Sequence, residues 1–275
     1  MDRTFSTPEP VSLHVEIGSG YVQVEAREAV DETRVTVDGE DAEDVTLEQR
    51  GNQILVLAPH RRGGFFTISS SDLHVTATMP RDSELSTKLG SADLVVSGRV
   101  GSARLRSGSG DVNVEELGAD AVVETGSADI RVGAASGDLR VKSGSGDVEI
   151  RHLSQSAQIS TGSGDVLLGT SEHQAVVKSG SGDVRVNDAH TDLSVTTASG
   201  DLAVDLIRAG AVRAKAVSGD VTVGVPVGIP VWTDISCVTG RVTSSLDGAG
   251  EPEEGQDHIE VRATTVSGDI RLEQR

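Results

Sequence analysis

The residues of this sequence whose side chains could bind a ligand or a metal ion are aspartates, and they recur at a fixed spacing. Seven of them follow one another every 18 residues: Asp93, Asp111, Asp129, Asp147, Asp165, Asp183 and Asp201. The motif returns at Asp220, one residue late, and again at Asp269. Stacked carboxylates together with turn carbonyls would offer the hard oxygen ligands that Ca²⁺ prefers. A constant period of this length also indicates a repeat architecture.

Each repeat contains two short strand patterns separated by turns. In Val148-Glu-Ile150 and Val184-Arg-Val186, apolar residues flank a charged one, as in a strand with one buried face. Half a period along, a second aspartate precedes a similar triplet, at Asp120, Asp138 and Asp192. The Gly-Ser-Gly before each main aspartate predicts a tight turn, because glycine tolerates positive φ.

One such unit cannot bury its apolar face alone, whereas units stacked about 4.8 Å apart can. Stacking would align identical residues in columns. One column is hydroxyl-bearing: Ser107, Thr125, Ser143, Thr161, Ser179 and Thr197. A second is Ser109, Ser127, Ser145, Ser163, Ser181 and Ser199. We therefore expect an all-β fold, a right-handed parallel β-solenoid (β-helix) with 18-residue coils of two short strands and irregular capping strands at both ends. An up-and-down barrel gives no reason for such columns.

Residues 1–84 are predicted to form an N-terminal capping β region. Residues 85–275 are predicted to form the solenoid and its C-terminal cap, continuous with the first region as one structural unit. Residues 1–10 read as a flexible lead-in, and Gly18–Val24 as a degenerate repeat with Tyr21 in place of aspartate. One extra residue between 209 and 217 predicts a bulge or a wider turn. The Arg61–Gly64 turn and an exposed acidic loop at 246–257 complete the outline.

Composition limits the classes of function. The 275 residues carry a net charge of −19, which argues against direct binding of nucleic acid or anionic lipid. The charge suits solubility, a basic protein partner, or mimicry of nucleic acid. Cys237 is the one cysteine, so no intramolecular disulfide forms, and its strand-like context predicts burial. The amino terminus has no signal-peptide pattern and no segment is long enough for membrane insertion, so we expect a cytoplasmic protein.

The aspartate column has a structural interpretation and a metal-binding one. In the first, each carboxylate caps its own turn by accepting backbone N–H groups. In the second, the column binds Ca²⁺ as a β-roll does, but the glycine spacing differs from the G-G-x-G-x-D nonapeptide. We assign no metal site; the candidate ligands, if there were one, are Asp111, Asp129, Asp147, Asp165, Asp183 and Asp201. The structural turn ladder adds Asp93, Asp220 and Asp269.

No catalytic constellation stands out in the sequence. The seven histidines share no column, and nucleophile-elbow, dinucleotide and Walker motifs are missing. Basic residues precede the hydroxyl column at Lys88, Arg106, Lys142, Lys178 and Lys215, and other outward positions mix Glu149 with Arg131, Arg140 and Arg185. We interpret these positions as a solvated face of mixed sign. The expectation is a protein that is not an enzyme and has no cofactor.

The repeated S/T-G-S-G-D-V-x-V units resemble a large bacterial family of β-strand repeats, the domain of unknown function 4097, whose members are often labelled as proposed adhesins. An opening like Phe5-Ser-Thr-Pro-Glu-Pro-Val-Ser-Leu13 and a close like Ile259–Ile270 point to its actinobacterial branch. The resemblance covers essentially the whole chain. It implies a β-solenoid and, for some relatives, a link to envelope stress, but no catalytic residues.

The leading hypothesis is a non-enzymatic scaffold, a protein-interaction module in a stress or regulatory role. Its protein partner is unidentified, and the acidic charge of the chain favours a basic one. Three alternatives stay open: a Ca²⁺-binding β-roll-like adhesin, an acidic nucleic-acid mimic that binds a DNA- or RNA-handling protein, and a carbohydrate-active β-helix enzyme. Self-assembly is also possible, because an uncapped terminal coil exposes strand edges.

Overall fold

The structure is a computed structural model that describes residues 1–59, 72–246 and 258–275. It divides into two compact units, residues 1–137 (unit 1) and 138–275 (unit 2). The predicted turn at 61–64 and all but the first residue of the acidic loop at 246–257 lie outside the described residues. The predicted division of the chain at residue 84 stays a prediction.

Unit 1 contains thirteen strands and a short 3₁₀ turn at Ala42–Asp44. The strands are β1 (Asp2–Ser6), β2 (Ser12–Ile17), β3 (Gly20–Arg27), β4 (Glu32–Asp38), β5 (Thr46–Arg50), β6 (Gln53–Leu57), β7 (Leu73–Pro80), β8 (Glu84–Leu89), β9 (Asp93–Val100), β10 (Ala103–Ser107), β11 (Val112–Leu117), β12 (Ala121–Thr125) and β13 (Ile130–Ala135). This 3₁₀ turn is the only helical element in the described residues, which hold no helix long and apolar enough to cross a membrane.

Two sheets form the walls of unit 1. Sheet A, whose later strands follow the aspartate turns, has the order β1-β4-β7-β3-β9-β11-β13, and sheet B has the order β5-β6-β2-β8-β10-β12. The regular strands pair in parallel with an 18-residue offset, as at Val112 opposite Ile130. Tyr21 lies opposite Asp93, which confirms that Gly18–Val24 is a first copy of the repeat.

The amino terminus differs from the sequence prediction. Residues 1–10 were expected to be a flexible lead-in, but β1 pairs with β4 in antiparallel fashion, with Phe5 opposite Thr33. The buried Thr7 hydroxyl lies 2.8 Å from that of Thr33. Strands β5 and β6 are also antiparallel, so the outer strands of unit 1 depart from the parallel pattern of the repeats.

Unit 2 contains the remaining fourteen strands. They are β14 (Leu139–Ser143), β15 (Val148–Leu153), β16 (Ala157–Thr161), β17 (Val166–Ser171), β18 (Ala175–Ser179), β19 (Val184–Ala189), β20 (Leu193–Ser199), β21 (Leu202–Ile207), β22 (Gly210–Ser218), β23 (Val221–Val225), β24 (Val231–Thr239), β25 (Val242–Ser244), β26 (Ile259–Ser267) and β27 (Ile270–Gln274).

The strands of unit 2 again form two parallel sheets. Sheet A runs β15-β17-β19-β21-β23-β27-β25, and sheet B runs β14-β16-β18-β20-β22-β26-β24. The last coil in sequence, β26–β27, is therefore not the last in space, because it lies between β22–β23 and β24–β25. The extra residue enters at the start of β22, where Gly210 has φ of +80° and the offset between Leu193 and Val212 is 19 residues.

Alternating apolar residues fill the space between the two sheets of each unit. In unit 2 the fully buried side chains include Ile150, Leu153, Ile159 and Leu168. Burying a side chain of this size contributes roughly 1.5–3 kcal/mol. The coils leave little room for larger groups, and the outward residues of each strand face solvent. These observations establish the predicted all-β parallel β-solenoid.

Candidate functional site

The aspartates form a continuous hydrogen-bonded ladder in unit 2. In each step, the Oδ1 atom of one aspartate accepts the backbone N–H of the aspartate in the next coil. The N···O distances are 2.9 Å from Asp165 to Asp147, 2.8 Å from Asp183 to Asp165, 2.8 Å from Asp201 to Asp183, 2.8 Å from Asp220 to Asp201 and 2.8 Å from Asp269 to Asp220. The carboxylates thus join successive coils.

Unit 1 has the same arrangement with two steps. The N–H of Asp111 donates to Asp93 at 2.9 Å, and that of Asp129 donates to Asp111 at 3.1 Å. In unit 2 the last step is the N–H of Arg241, which donates to Asp269 at 2.9 Å. Arginine replaces aspartate in the outermost coil, so that coil offers no carboxylate to a further one. Each aspartate of the ladder thus accepts an N–H from the next coil, whereas the structural interpretation of the sequence expected an N–H from the aspartate's own turn.

The buried hydroxyl column supports the turns themselves. Ser107 donates to the carbonyl of Gly110 at 2.6 Å, and Ser143 donates to that of Gly146 at 3.0 Å. Thr161 and Ser179 accept the N–H groups of Gly164 and Gly182, at 3.1 and 2.9 Å. Thr197 is an exception, since its buried hydroxyl has no partner among the described residues. The second serine column, in contrast, is exposed throughout.

These contacts limit what the polar columns can do chemically. Within the described residues, no three His, Cys, Asp or Glu side chains are grouped closely enough to hold a metal ion. A cavity of about 320 Å³ lies in unit 1, but Glu16 is the single carboxylate among its described lining residues. Lys88 donates to Glu16 at 2.5 Å. The lining therefore lacks the two carboxylates that glycoside hydrolysis requires.

The outer face of sheet A in unit 2 carries charges of both signs in contact with one another. Arg185 pairs with Asp205 at 2.7 Å, and Arg271 pairs with Asp220 at 2.9 Å. The N–H of Asp269, then the Arg271 guanidinium, hold the pKa of Asp220 below its usual value, although partial burial opposes them. The Arg208 guanidinium lowers the pKa of Asp188 in the same manner. This face has the mixed sign that the sequence predicted.

The outer face of sheet B in unit 2 is different, because six of the twelve residues at its central positions are basic and none is acidic. Two neighbouring columns run across the strands from β14 to β26. The first contains Arg140, Gln158, Val176, Ser194, Arg213 and Arg262, and the second contains Lys142, Ser160, Lys178, Thr196, Lys215 and Thr264. We name these twelve residues the basic columns. The sequence interpretation of a mixed-sign face did not separate these columns from the acids around them, because it read the outward positions of both sheets together.

The outermost coil of unit 2 exposes residues at core positions. Val231, Ile235 and Cys237 of β24 lie opposite the buried Ile259, Ala263 and Thr265 of β26. They are nevertheless only half-buried, and Val242 of β25 is 46% exposed, because no described strand covers this side. Cys237 was expected to be buried; it has the inward register but lacks a covering layer.

Solved structures that are similar to this chain have low sequence identity to it. A proposed adhesin from Parabacteroides merdae is 12% identical, with a TM-score of 0.55, over 99% of this chain and 95% of that one. A proposed lipid-binding protein from Parabacteroides distasonis is 17% identical, with a TM-score of 0.41, over 99% and 96% of the two chains. No curated protein matches the chain.

The family comparison covers nearly all of the sequence. The Toastrack family, DUF4097, matches residues 12–273, from the second strand to the last. The match includes the aspartate ladder, the hydroxyl column and the outermost coil of unit 2. The chain therefore belongs to the Toastrack (DUF4097) family.

Proposed function

We propose that this protein is a non-enzymatic β-solenoid scaffold that binds a partner protein through the outer faces of its sheets. The observation that carries the proposal is the use of the repeated polar groups within the fold. The backbone N–H of Asp183, for example, donates to the preceding coil, and its carboxylate accepts an N–H from the next coil. Ser179 accepts the N–H of Gly182 in the turn just before Asp183. The groups that could do chemistry are thus engaged in joining coils, and the sheet faces are available for recognition.

The proposal extends to the setting of the scaffold. The single cysteine suits a reducing compartment, so we propose a cytoplasmic location. An adhesive role is suggested by the description of the Parabacteroides merdae protein, whose likeness to this chain shows the fold alone. Binding of a partner protein is common to both roles, and the scaffold proposal needs no secretion.

Site-specific photo-crosslinking in cells of the native organism tests the scaffold. A photoreactive residue replaces Leu167 on sheet A, Val176 on sheet B, or Ser163 in a turn as the control; all three lie in unit 2. We expect a discrete protein adduct from at least one sheet face and none from the turn. Equal adducts at all three positions, or none at either face, would overturn the proposal.

We also propose that two copies associate through β24 and β25. The nine residues of β24 carry one charge, Asp234, whereas the outer strands of unit 1 carry several, such as Asp2 and Arg3 in β1. Proteins commonly protect sheet edges with charges, and β24 lacks this protection. A second copy fits because it presents the same pair of edges with an open core between them, which a two-fold axis would match.

Light scattering coupled to size exclusion tests this association. The wild-type protein is expected to have twice the mass of one chain. The double variant Ile235→Lys/Val242→Lys places charges at the open core and should be monomeric, whereas Val227→Lys, in a loop outside the edge, should remain dimeric. A monomeric wild-type protein at micromolar concentration would show that the edge does not join two copies.

A further inference from the structure

The basic columns stand out in a chain where carboxylates outnumber basic side chains, 43 to 24. Four of their cations, Arg140, Lys178, Arg213 and Lys215, are exposed and make no hydrogen bond or ion pair with any described residue. Two equivalent second-column positions in unit 1 differ, since Lys88 pairs with Glu16 and Arg106 pairs with Glu124. Arg104 of unit 1 is exposed and makes no such contact either, so what distinguishes unit 2 is that several unpaired cations share one face.

The cations are close enough to act together. Lys178 and Lys215 are separated by one strand, which places them roughly 9.6 Å apart at the strand spacing of a sheet. Arg213 is two residues from Lys215 on the same strand. Arg262 lies directly opposite Arg213, but it already pairs with Glu260 at 3.4 Å. Like charges at these distances repel one another in the free protein. A bound anion would relieve this repulsion and gain attraction from several cations at once.

The surroundings of the basic columns restrict the shape of the anion. A third column at the strand starts carries Asp138, Asp192 and Glu260, and the aspartate ladder follows the opposite ends of the strands. On the strands of Lys178 and Lys215 this third column holds Gln174 and Ala211 instead of acids. Charges are screened beyond about 8 Å at physiological salt, so a narrow ligand over these two lysines would sense mainly the cations. A nucleic-acid duplex or a lipid surface is broader and would meet the flanking carboxylates. The columns themselves contain no aromatic side chain on which bases could stack, and the nearby Trp232 ring is covered by the Arg262 guanidinium at 5.2 Å.

The spacing within the columns suits an extended peptide. Lys142, Lys178 and Lys215 occupy alternate strands, and Ser160 and Thr196 lie between them. A polyproline II segment repeats its side-chain direction every three residues, or roughly every 9.3 Å. Carboxylates three positions apart would therefore meet Lys178 and Lys215, while the serine and threonine hydroxyls of the column can hydrogen-bond the peptide backbone.

We propose that the basic columns bind an extended acidic segment of a partner protein. This inference rests on the proposed scaffold function and names the chemistry of its partner. It also changes the earlier expectation of a basic partner, because the exposed cations select for negative charge. The attraction is local, so it operates although the whole chain is strongly acidic.

Fluorescence anisotropy with a synthetic peptide tests the inference. The probe is a labelled peptide of four Glu-Pro-Pro repeats, and the uncharged probe is the same peptide with Gln in place of Glu. We expect the Glu peptide to bind the full chain, with binding weakened at least tenfold by Lys178→Glu/Lys215→Glu and by increasing salt. The neutral pair Lys178→Gln/Lys215→Gln should weaken it less, and the Gln peptide should not bind.

The matched control changes net charge equally on the other sheet. Arg151→Glu/Arg185→Glu alters two exposed cations of sheet A, and it should change the affinity less than threefold. The inference is overturned if the Glu peptide fails to bind, or if both double variants weaken it equally. It is also overturned if a twelve-nucleotide thymidine strand or a phosphatidylserine vesicle binds these columns and the peptide does not. A crosslink from Leu167 would then leave the scaffold standing without this face.

Discussion

The Oδ1 atom of Asp165 accepts the backbone N–H of Asp183 at 2.8 Å, although the two residues are 18 positions apart. The contact explains how carboxylates stack at the spacing of β-strands. Neighbouring charges about 4.8 Å apart repel by roughly 1 kcal/mol in water. Each carboxylate offsets part of this cost by accepting a hydrogen bond from the next coil, and that bond also fixes the register of the turns.

Replacement of Asp165 by alanine is expected to destabilise the protein by about 1 kcal/mol, because the N–H of Asp183 loses its acceptor. Asp165→Asn retains the Oδ1 acceptor and removes the charge, so it separates the hydrogen bond from column repulsion. Urea denaturation should rank Asn above Ala in unfolding free energy. If Ala were as stable as the wild-type protein, repulsion within the column would dominate.

The lowered pKa of Asp220 predicts a loss of stability in acid. The N–H of Asp269 and the Arg271 guanidinium favour the charged carboxylate in the folded state, against partial burial. The resulting stability is present above the unfolded pKa of about 3.9 and is lost as pH falls through the lower folded value. Urea titrations between pH 5 and 3 should show this decline.

Asp220→Asn is the variant for this pH effect. It should flatten the decline in unfolding free energy below about pH 4, since one linked carboxylate is removed. Arg271→Gln should flatten it less, because the amide of Asp269 remains as donor. An unchanged pH profile in Asp220→Asn would mean that this carboxylate is not linked to folding.

Two equivalent threonines should respond to valine with opposite signs. Thr161 accepts the N–H of Gly164 at 3.1 Å, so Thr161→Val leaves a buried donor unpaired and should cost about 1 kcal/mol. Thr197 is 2% exposed and its buried hydroxyl has no described partner, so Thr197→Val should stabilise by a similar amount. Thermal melts of both variants check the signs, and destabilisation by Thr197→Val would reveal a partner for that hydroxyl.

The turn glycines are packed against the preceding coil, which makes Gly182 intolerant of a side chain. A Cβ atom there would lie 2.0 Å from the carbonyl oxygen of Gly164. Gly182→Ala should therefore destabilise by about 3 kcal/mol, because backbone cannot yield as a flexible side chain does. Gly18→Ala, with no atom within 4 Å of its new Cβ, is the control and should be nearly neutral. Similar denaturation midpoints for both variants would contradict the close stacking.

Calcium should leave the thermal stability unchanged. In each ladder step one carboxylate oxygen accepts a backbone N–H. Among the described residues, no three His, Cys, Asp or Glu side chains lie close enough together to hold a metal ion. Melts in EDTA and in millimolar Ca²⁺ are expected to coincide. A rise in Tm with Ca²⁺ that Asp165→Asn abolishes would favour the β-roll-like adhesin instead.

The sequence by itself determined the coil. A period of 18, in-out-in triplets and repeated Gly-Ser-Gly-Asp turns require strands that stack in parallel, since identical residues can align in no other common sheet arrangement. The degenerate copy at Tyr21 could also be predicted, because its apolar neighbours keep the same alternation. Every repeat contains a local pattern of this kind, and each repeat contacts mainly the next one.

The tertiary structure decided what lies between and beyond the coils. Asp165 joins Asp183 because stacking brings an amide to its carboxylate, which a pattern within one turn does not show. Ile259–Gln274 lies between the coil of β22–β23 and the outermost coil of β24–β25, so the order of the coils in space differs from their order in the sequence. The basic columns emerged only when strand register assigned Lys178 and Arg213 to one face and Arg185 to another. The sequence shows which side chains are charged, but only the strand register shows which of those charges lie together on one face.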